Sequence, residues 1–335
     1  MTASLVQDIE AAAALLAGAT DVTLLGHVRP DADALGSALA LGHVLHRRGA
    51  RVRVAFGEPD ETPETLAWLD VDGLLTRVAD LPPADRLLVA LDTPTPARLG
   101  RLAPRVTAAD AVLVVDHHAT NTRYGTHHVV DETAEATAVL VTRIIEAMGA
   151  ELDEAAARSL YAGIVTDTSG FRRASPETHR IAAHLLEAGA DPAEVARRIV
   201  DDHPFAWLPM LSTVLAQARL EPEAAQGFGF VHTVVGAASV ATVRIEEVES
   251  VIDVVRTTRE AGVAAVLKET ASTGDGPVWT VSLRSAGDVD VSAAAAELGG
   301  GGHRMAAGCT VAGSAEEVLD RLRKALDRAP LLRLP

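Results

Sequence analysis

The sequence predicts an α/β protein: a parallel, doubly wound sheet with a helical cap, followed by a smaller α/β domain. Three observations lead there. Apolar runs of strand length alternate with Ala/Leu-rich helical segments through the first half, the order that a parallel sheet requires. A chain of 335 residues exceeds what one compact core ordinarily holds, so two domains are expected. A stretch at 201–217, DDHPFAWLPMLSTVLAQ, breaks the Ala-rich rhythm with two prolines and two aromatics, and reads as a connector.

The elements follow in order. Val22 to Gly26 is an apolar strand, succeeded by a polar loop and a helix from about Ser37 to Arg48. Val52 to Phe56, Arg86 to Leu91 and Ala111 to Val115 are further strands. Helical periodicity runs from Thr137 to Leu160 and from His179 to Ile199, the second segment broken by Gly189 and the Asp191-Pro192 helix start, and forms the cap. In the second domain, strands are expected at Phe228 to Val235, Val263 to Lys268 and Val278 to Leu283. Helices are expected at Ile245 to Glu260 and Ser314 to Arg328, with a glycine-rich loop between the last strand and the last helix. The division is then 1–195, a connector at 196–217, and 218–335.

Composition narrows the function. Forty-six acidic against 30 basic residues give a net charge of −16, which argues against tracking a long nucleic-acid backbone and leaves a small anionic ligand open. The single cysteine, Cys309, excludes an internal disulfide and a thiolate zinc cluster. The first twenty residues lack a basic leader and contain Asp8 and Glu10, so they read as a surface helix. No apolar run reaches the ~18 residues of a membrane span. A cytoplasmic location is expected.

Chemistry-bearing residues gather at the ends of the apolar elements, where open α/β sheets place their ligands. His27, Asp31 and Asp33 follow the first strand, and an extended loop would point Asp31 and Asp33 in similar directions. An EF-hand is excluded, because Leu35 and Gly42 stand where oxygen ligands are required. Asp92 ends the strand Leu87 to Leu91, Asp116-His117-His118 ends the next, and Asp167 closes an apolar helical run. Taken singly, each is explained as a turn former or helix cap. Together they compose a mixed imidazole and carboxylate set suited to two Mn²⁺- or Mg²⁺-like ions with one bridging carboxylate. Ions ~3.5–4 Å apart activate water for in-line attack on phosphorus.

The motifs GHVRPDADALGS, LDT, DHH and GIVTDTSGFR resemble the sequential metal-binding motifs of the DHH phosphoesterase superfamily. VSLRS at 281–285 and GGGGHRMAAG at 299–308 resemble the signature of its DHHA1 domain, so the resemblance spans nearly the whole chain. The subgroup it points to comprises oligoribonucleases, 3′-phosphoadenosine 5′-phosphate phosphatases and phosphodiesterases of cyclic and linear diadenylate. The resemblance implies one ion on His27, Asp31 and Asp92, and the other on Asp33, Asp92, His117 and Asp167, with Asp92 bridging. Mn²⁺ is the implied metal, with Mg²⁺ or Co²⁺ as alternatives. Asp116 would support the geometry or join the site, and His118 would contact the scissile phosphate or protonate the leaving group. Substrate contacts would come from Arg284, Ser285, Gly300, Gly301, Gly302 and His303. A homodimer is also implied.

The glycine-rich loop is neither a Walker loop nor a dinucleotide fingerprint. Its glycines let backbone N–H groups converge on an anion, with Arg284 and His303 adding charge; a purely structural turn is the competing explanation. His127 and His128 read as a strand edge, and Phe171 and Trp207 as core. Two other functions are weighed. A manganese pyrophosphatase would carry several lysines near its phosphates, and Lys268 and Lys324 are the only lysines here. A silent nucleotide-binding regulator has no use for so many mutually repelling carboxylates.

Overall fold

The computed structural model describes residues 2–273 and 276–332, side chains at 271–273 excepted, and divides into two compact units, 1–202 and 203–335. Unit 1 opens with helix α1 (Ala3–Ala17) and strand β1 (Asp21–Leu25). Helix α2 (Ala32–Arg47), strand β2 (Arg51–Ala55), the one-turn helix α3 (Glu64–Ala67) and strand β3 (Leu87–Leu91) follow. After a 3₁₀ segment, Pro96–Leu102, come α4 (Arg105–Ala108), β4 (Ala111–Asp116) and β5 (His127–Val130). Helices α5 (Thr137–Ala147), α6 (Glu154–Asp167), α7 (Pro176–Glu187) and α8 (Pro192–Ala196) complete it, ending in a π-helical turn, Arg197–Asp201.

The sheet runs β2-β1-β3-β4-β5 with every neighbouring pair parallel. Both faces are buried, as a parallel sheet demands. Leu87, Val89 and Leu91 point into one core with α1, α2 and α5, while Leu88 and Ala90 point into another with Leu99 and Leu102. The chain leaves β1 toward β2 and returns across it to β3, so the order reverses between β1 and β3. Crevices for ligands open at the carboxyl ends of strands at such a reversal.

The helices of this unit depart from the sequence expectation at two informative places. Helix α2 starts at Ala32, well before Ser37, because Asp31 is its N-cap and accepts from the backbone N–H groups of Asp33 (3.1 Å) and Ala34 (2.9 Å). Asp31 and Asp33 therefore do not share an extended loop, and Asp33 sits in the first helical turn. The helical run expected from Thr137 to Leu160 is two helices, parted at Gly149, whose φ of +60° suits glycine.

Glycine also sets the helix packing. A Cβ on Gly36 would overlap the Ser159 carbonyl oxygen, and one on Gly163 would stand 2.8 Å from Asp33 Oδ1. Small residues at these two positions let α2 and α6 approach closely enough to bring their ends to one place.

Unit 2 begins with α9 (Trp207–Ala216), so the segment at 201–217, expected as a connector, holds a helix whose Met210 and Val214 are buried with Val248, Val251 and Ile252. Next come β6 (Arg219–Glu221), β7 (Phe230–Val235), α10 (Ala237–Val240), α11 (Ile245–Val255), β8 (Val263–Thr273) and β9 (Gly276–Ser285). Helix α12 (Val291–Glu297), β10 (Gly301–His303), β11 (Ala306–Ala312) and α13 (Ala315–Arg328) close the unit. The mixed sheet runs β10-β11-β9-β8-β7-β6, with only β7 and β8 parallel.

Candidate metal centre

The loops after β1, β3 and β4, the first turn of α2 and the end of α6 deliver the elements of a single cluster. His27 follows β1 and is 5% exposed. Its Nδ1 lies 2.8 Å from the Val28 carbonyl oxygen, which fixes the proton there and turns Nε2 toward Asp31 Oδ2 (3.6 Å) and Asp92 Oδ2 (3.3 Å). Asp92 is held at φ +55°, a left-handed conformation uncommon for aspartate, although its N–H still continues the ladder to Val115. Strain of this kind gathers where a side chain must be aimed.

His117 is built the same way on the other side of Asp92. Its Nδ1 stands 3.1 Å from the Ala134 carbonyl oxygen, and Nε2 faces Asp92 Oδ1 (3.4 Å), Asp167 Oδ2 (3.2 Å) and Asp33 Oδ2 (3.9 Å). Asp33 is fully buried and caps α5, accepting from the N–H groups of Thr137 (2.7 Å) and Ala138 (2.8 Å). Donor atoms of His27, Asp31 and Asp92 lie within 4.8 Å of one another, as do those of Asp33, Asp92 and His117. Asp92 belongs to both groups.

This donor set suits divalent cations. Burial together with the charges of Asp167 and Asp92 pushes the Asp33 carboxyl well up, and burial with the charges of Asp31 and Asp92 raises Asp167. Burial alone would lower His27, but Asp31 and Asp92 outweigh it and raise its pKa to about 10. Asp33 and Asp167 therefore hold protons more tightly than ordinary carboxyls unless cations neutralise the cluster, whereas, against burial, the neighbouring imidazoles hold Asp31 and Asp92 below the usual range; imidazoles with a carbonyl on Nδ1 are posed as ligands through Nε2.

Asp116 and His118 stand beside the cluster. Asp116 is fully buried; its Oδ1 lies 2.7 Å from His118 Nδ1, and its Oδ2 accepts from Asn121 Nδ2 at 2.6 Å. Donor atoms of Asp92, Asp116 and His118 also fall within 4.8 Å of one another. Burial would lower His118, yet Asp116 and Asp92 raise it. The Tyr124 hydroxyl, pushed up by burial and by the charge of Asp116, stays protonated and donates to the Thr93 carbonyl oxygen at 3.1 Å.

Sequence reasoning passed over Asn121, Thr137 and Gly163. Asn121 orients Asp116, Thr137 Oγ1 donates to Asp92 Oδ1 at 3.0 Å, and Gly163 leaves room for Asp33. Their signal was faint: an Asn three residues after a metal motif, a Thr opening a helix, a Gly inside one.

In unit 2, the register places Arg284 opposite Ala306, and Ala306 opposite His303. Residues directly opposed on neighbouring strands share a face, so Arg284 and His303 stand in one row with a small side chain between them. Leu283, Ala307 and Cys309 face the opposite way, into the core. Ser285 Oγ accepts from the Gly287 N–H at 3.1 Å and thereby turns the chain. The glycine segment is a strand end more than an open loop. A Cβ at Gly300 would overlap the Gly308 carbonyl oxygen, one at Gly302 would come within 2.6 Å of the Ala306 oxygen, and one at Gly301 would meet open space.

Comparison with known proteins accords with this architecture. The model of the DHH family N-terminal domain matches residues 21–164, and that of the DHHA1 domain matches 234–329. The bifunctional oligoribonuclease and PAP phosphatase NrnA of Thermus thermophilus is 34% identical over 329 residues, covering 91% of this chain and 90% of the relative. The chain belongs to the DHH/DHHA1 family. It is a phosphoesterase of that family, and DHH enzymes are metal-dependent. Another DHH relative, the cyclic-di-AMP phosphodiesterase GdpP of Geobacillus thermodenitrificans, is 28% identical over 86% of this chain but only 44% of its own length. Among solved structures, an exopolyphosphatase-related protein from Bacteroides fragilis superposes with a TM-score of 0.84 at 22% identity, covering 96% of both chains. The manganese-bound exonuclease RecJ gives 0.55 at 18% identity, covering 96% of this chain and 95% of RecJ. These two likenesses concern the DHH/DHHA1 fold alone. Among the described residues, no helix is long and apolar enough to cross a membrane.

Proposed function

We propose that this protein hydrolyses phosphate esters of short nucleotides: oligoribonucleotides of a few residues, linear diadenylate, cyclic-di-AMP and 3′-phosphoadenosine 5′-phosphate. The observation that carries the reading is Asp92, one buried carboxylate shared between a His27/Asp31 group and an Asp33/His117 group. The named activities of the NrnA and GdpP relatives supply the substrate class.

Two divalent ions, manganese by preference, would be held by His27, Asp31 and Asp92 on one side and by Asp33, Asp92, His117 and Asp167 on the other. Ions there supply Lewis acidity that lowers the pKa of water and offsets charge on phosphate. The chain's own residues do the rest. Val28 and Ala134 fix the imidazole tautomers through their carbonyl oxygens. Thr137 orients Asp92, and the first N–H groups of α5 fix the position of the Asp33 carboxyl. His118, oriented by Asp116, contacts the scissile phosphate or hands a proton to the leaving oxygen through Nε2. Arg284, Ser285, His303 and the N–H groups of Gly300, Gly301 and Gly302 form an anion site in unit 2. Metal binding is assigned to 1–195 and nucleotide binding to 218–335, joined by 196–217, in a cytoplasmic homodimer.

A pyrophosphatase reading has less support, since Lys268 is engaged by Glu249 and Ser282 and the only other lysine is Lys324, on α13. Hydrolysis should be assayed with Mn²⁺ on labelled diadenylate, a short RNA, 3′-phosphoadenosine 5′-phosphate, cyclic-di-AMP and pyrophosphate. Turnover confined to the nucleotides is expected. Turnover of pyrophosphate alone, or of none despite bound metal, would overturn the reading.

A further inference from the structure

We propose that four arginines around the metal-bearing edge of unit 1, Arg29, Arg98, Arg123 and Arg172, bind the phosphates that flank the one being cleaved in a short oligonucleotide. The inference rests on the nucleotide reading above and deepens it. It assigns recognition of a second and third phosphate to this unit's own rim.

Their placement comes first. Arg29 lies between His27 and Asp31, and Arg98 accepts from the Val28 N–H through its carbonyl oxygen at 2.8 Å. The Arg123 N–H donates to Asn121 Oδ1 at 2.6 Å, and Asn121 holds Asp116. The Thr122 N–H reaches the Pro94 carbonyl oxygen at 3.0 Å, which ties that loop to the one after Asp92. Arg172 lies in the turn after Asp167, and its neighbour Arg173 donates to the Asp167 carbonyl oxygen at 2.5 Å. Three loops and the 3₁₀ segment Pro96–Leu102 thus bring one arginine each to the same edge.

All four are exposed, and none makes a side-chain hydrogen bond or ion pair among the described residues. Nearby arginines are engaged: Arg101 pairs with Asp60, and Arg105 with Asp85. Only Arg86, Arg197 and Arg321 share the unpaired condition elsewhere among the described residues. Arg29 and Arg123 further adopt φ of +52° and +50°, and Ser169 and Phe171, flanking the Arg172 turn, adopt +54° and +64°. Side chains other than glycine, asparagine and aspartate rarely settle there, so these turns keep a cost in exchange for where they point.

Charge balance supplies the need. Asp31, Asp33, Asp92, Asp116 and Asp167 bring five carboxylates, and two divalent ions would bring four positive charges, within a chain of net −16. Such a site offers a polyanion no attraction beyond direct contact. Guanidinium groups left unneutralised on the rim supply it, and their planar forks suit phosphate oxygens.

The test compares a quadruple variant, R29Q/R98Q/R123Q/R172Q, with a control triple, R86Q/R197Q/R321Q. Binding of fluorescein-labelled pentaadenylate is measured by anisotropy against KCl concentration, with Ca²⁺ replacing manganese and the probe checked for integrity. Each phosphate contact contributes ~0.7 to the slope of log K against log salt for a single strand. The quadruple variant should lose about 1.4 or more of slope and bind at least tenfold more weakly at low salt, with manganese content unchanged. The control should match wild type. A wild-type slope in the quadruple variant, or an equal loss in the control, would overturn the rim assignment while sparing the nucleotide reading. Failure of the wild-type protein to bind pentaadenylate at all would overturn both.

Discussion

Gly163 connects helix packing to the geometry of the proposed metal site. Replacing it by alanine puts a methyl carbon 2.8 Å from Asp33 Oδ1 and 3.0 Å from Ala138 Cβ. Overpacking of this kind costs about 1–3 kcal/mol, and alanine returns about 1 kcal/mol of helix propensity. The net destabilisation is then about 0–2 kcal/mol, or roughly 0–8 °C for a domain of this size. The effect on metal should be larger. Asp33 cannot swing away without losing the N–H groups of Thr137 and Ala138. Displacing a ligand's support typically lowers metal affinity about 10–100-fold, which removes about 1.4–2.7 kcal/mol of metal-linked stabilisation at saturating metal. Thermal unfolding of Gly163→Ala with and without Mn²⁺ reads both quantities. Gly18→Ala, whose Cβ meets nothing nearer than 3.8 Å, is the control. A manganese-induced shift in Gly163→Ala equal to that of wild type would refute the reasoning.

Other outcomes follow from the same geometry. Asn121→Ala removes the donor to Asp116 Oδ2 and should lower kcat with little change in KM; combined with His118→Ala it should add nothing further, and additive losses would show that Asn121 does not act through His118. Arg284→Ala should raise KM more than it lowers kcat, and steady-state kinetics in which kcat falls alone would contradict an anion-binding role. Because His27 in the metal-free protein is raised to about 10, metal binding must displace its proton, so manganese affinity should fall as pH falls. Calorimetry in buffers of different ionisation enthalpy should find proton release, and an affinity constant from pH 6 to 8 would count against the cluster. The bond from Arg323 holds Glu221 below its ordinary pKa, so this pair contributes stability above the unfolded carboxylate value that is lost as pH falls through the lower folded one. Glu221→Gln should flatten that part of an acid-unfolding curve.

Much of unit 1 could be read from sequence, for a physical reason. Strands buried on both faces are continuous apolar runs, so Leu87 to Leu91 and Ala111 to Val115 announce themselves, and polar residues at their ends mark the edge where ligands gather. Lateral relations were hidden. Nothing in the local pattern around Asp33 shows that its carboxylate meets the first N–H groups of a helix more than a hundred residues later. Helix α2 starts earlier than its apolar pattern suggests because Asp31 serves as a cap as well as standing in the carboxylate and imidazole cluster, and a motif so rich in polar residues reads as a loop. The prolines of 201–217 read as a break in helical rhythm, yet Pro209 sits in the first turn of α9, where a missing N–H is tolerated. In unit 2, the glycines drew attention as an anion cradle, while Gly300 and Gly302 are also required by the close approach of β10 and β11.

The central claim is that Asp92 joins two metal groups into one hydrolytic centre, and Asp92→Asn tests it most directly by removing the charge with little change of shape. Metal content should be measured by elemental analysis alongside hydrolysis of labelled diadenylate. Wild type is expected to hold two manganese ions per chain and to turn the substrate over, and the variant to hold fewer and to be inactive while folded. Full metal content with wild-type turnover in Asp92→Asn would contradict the claim.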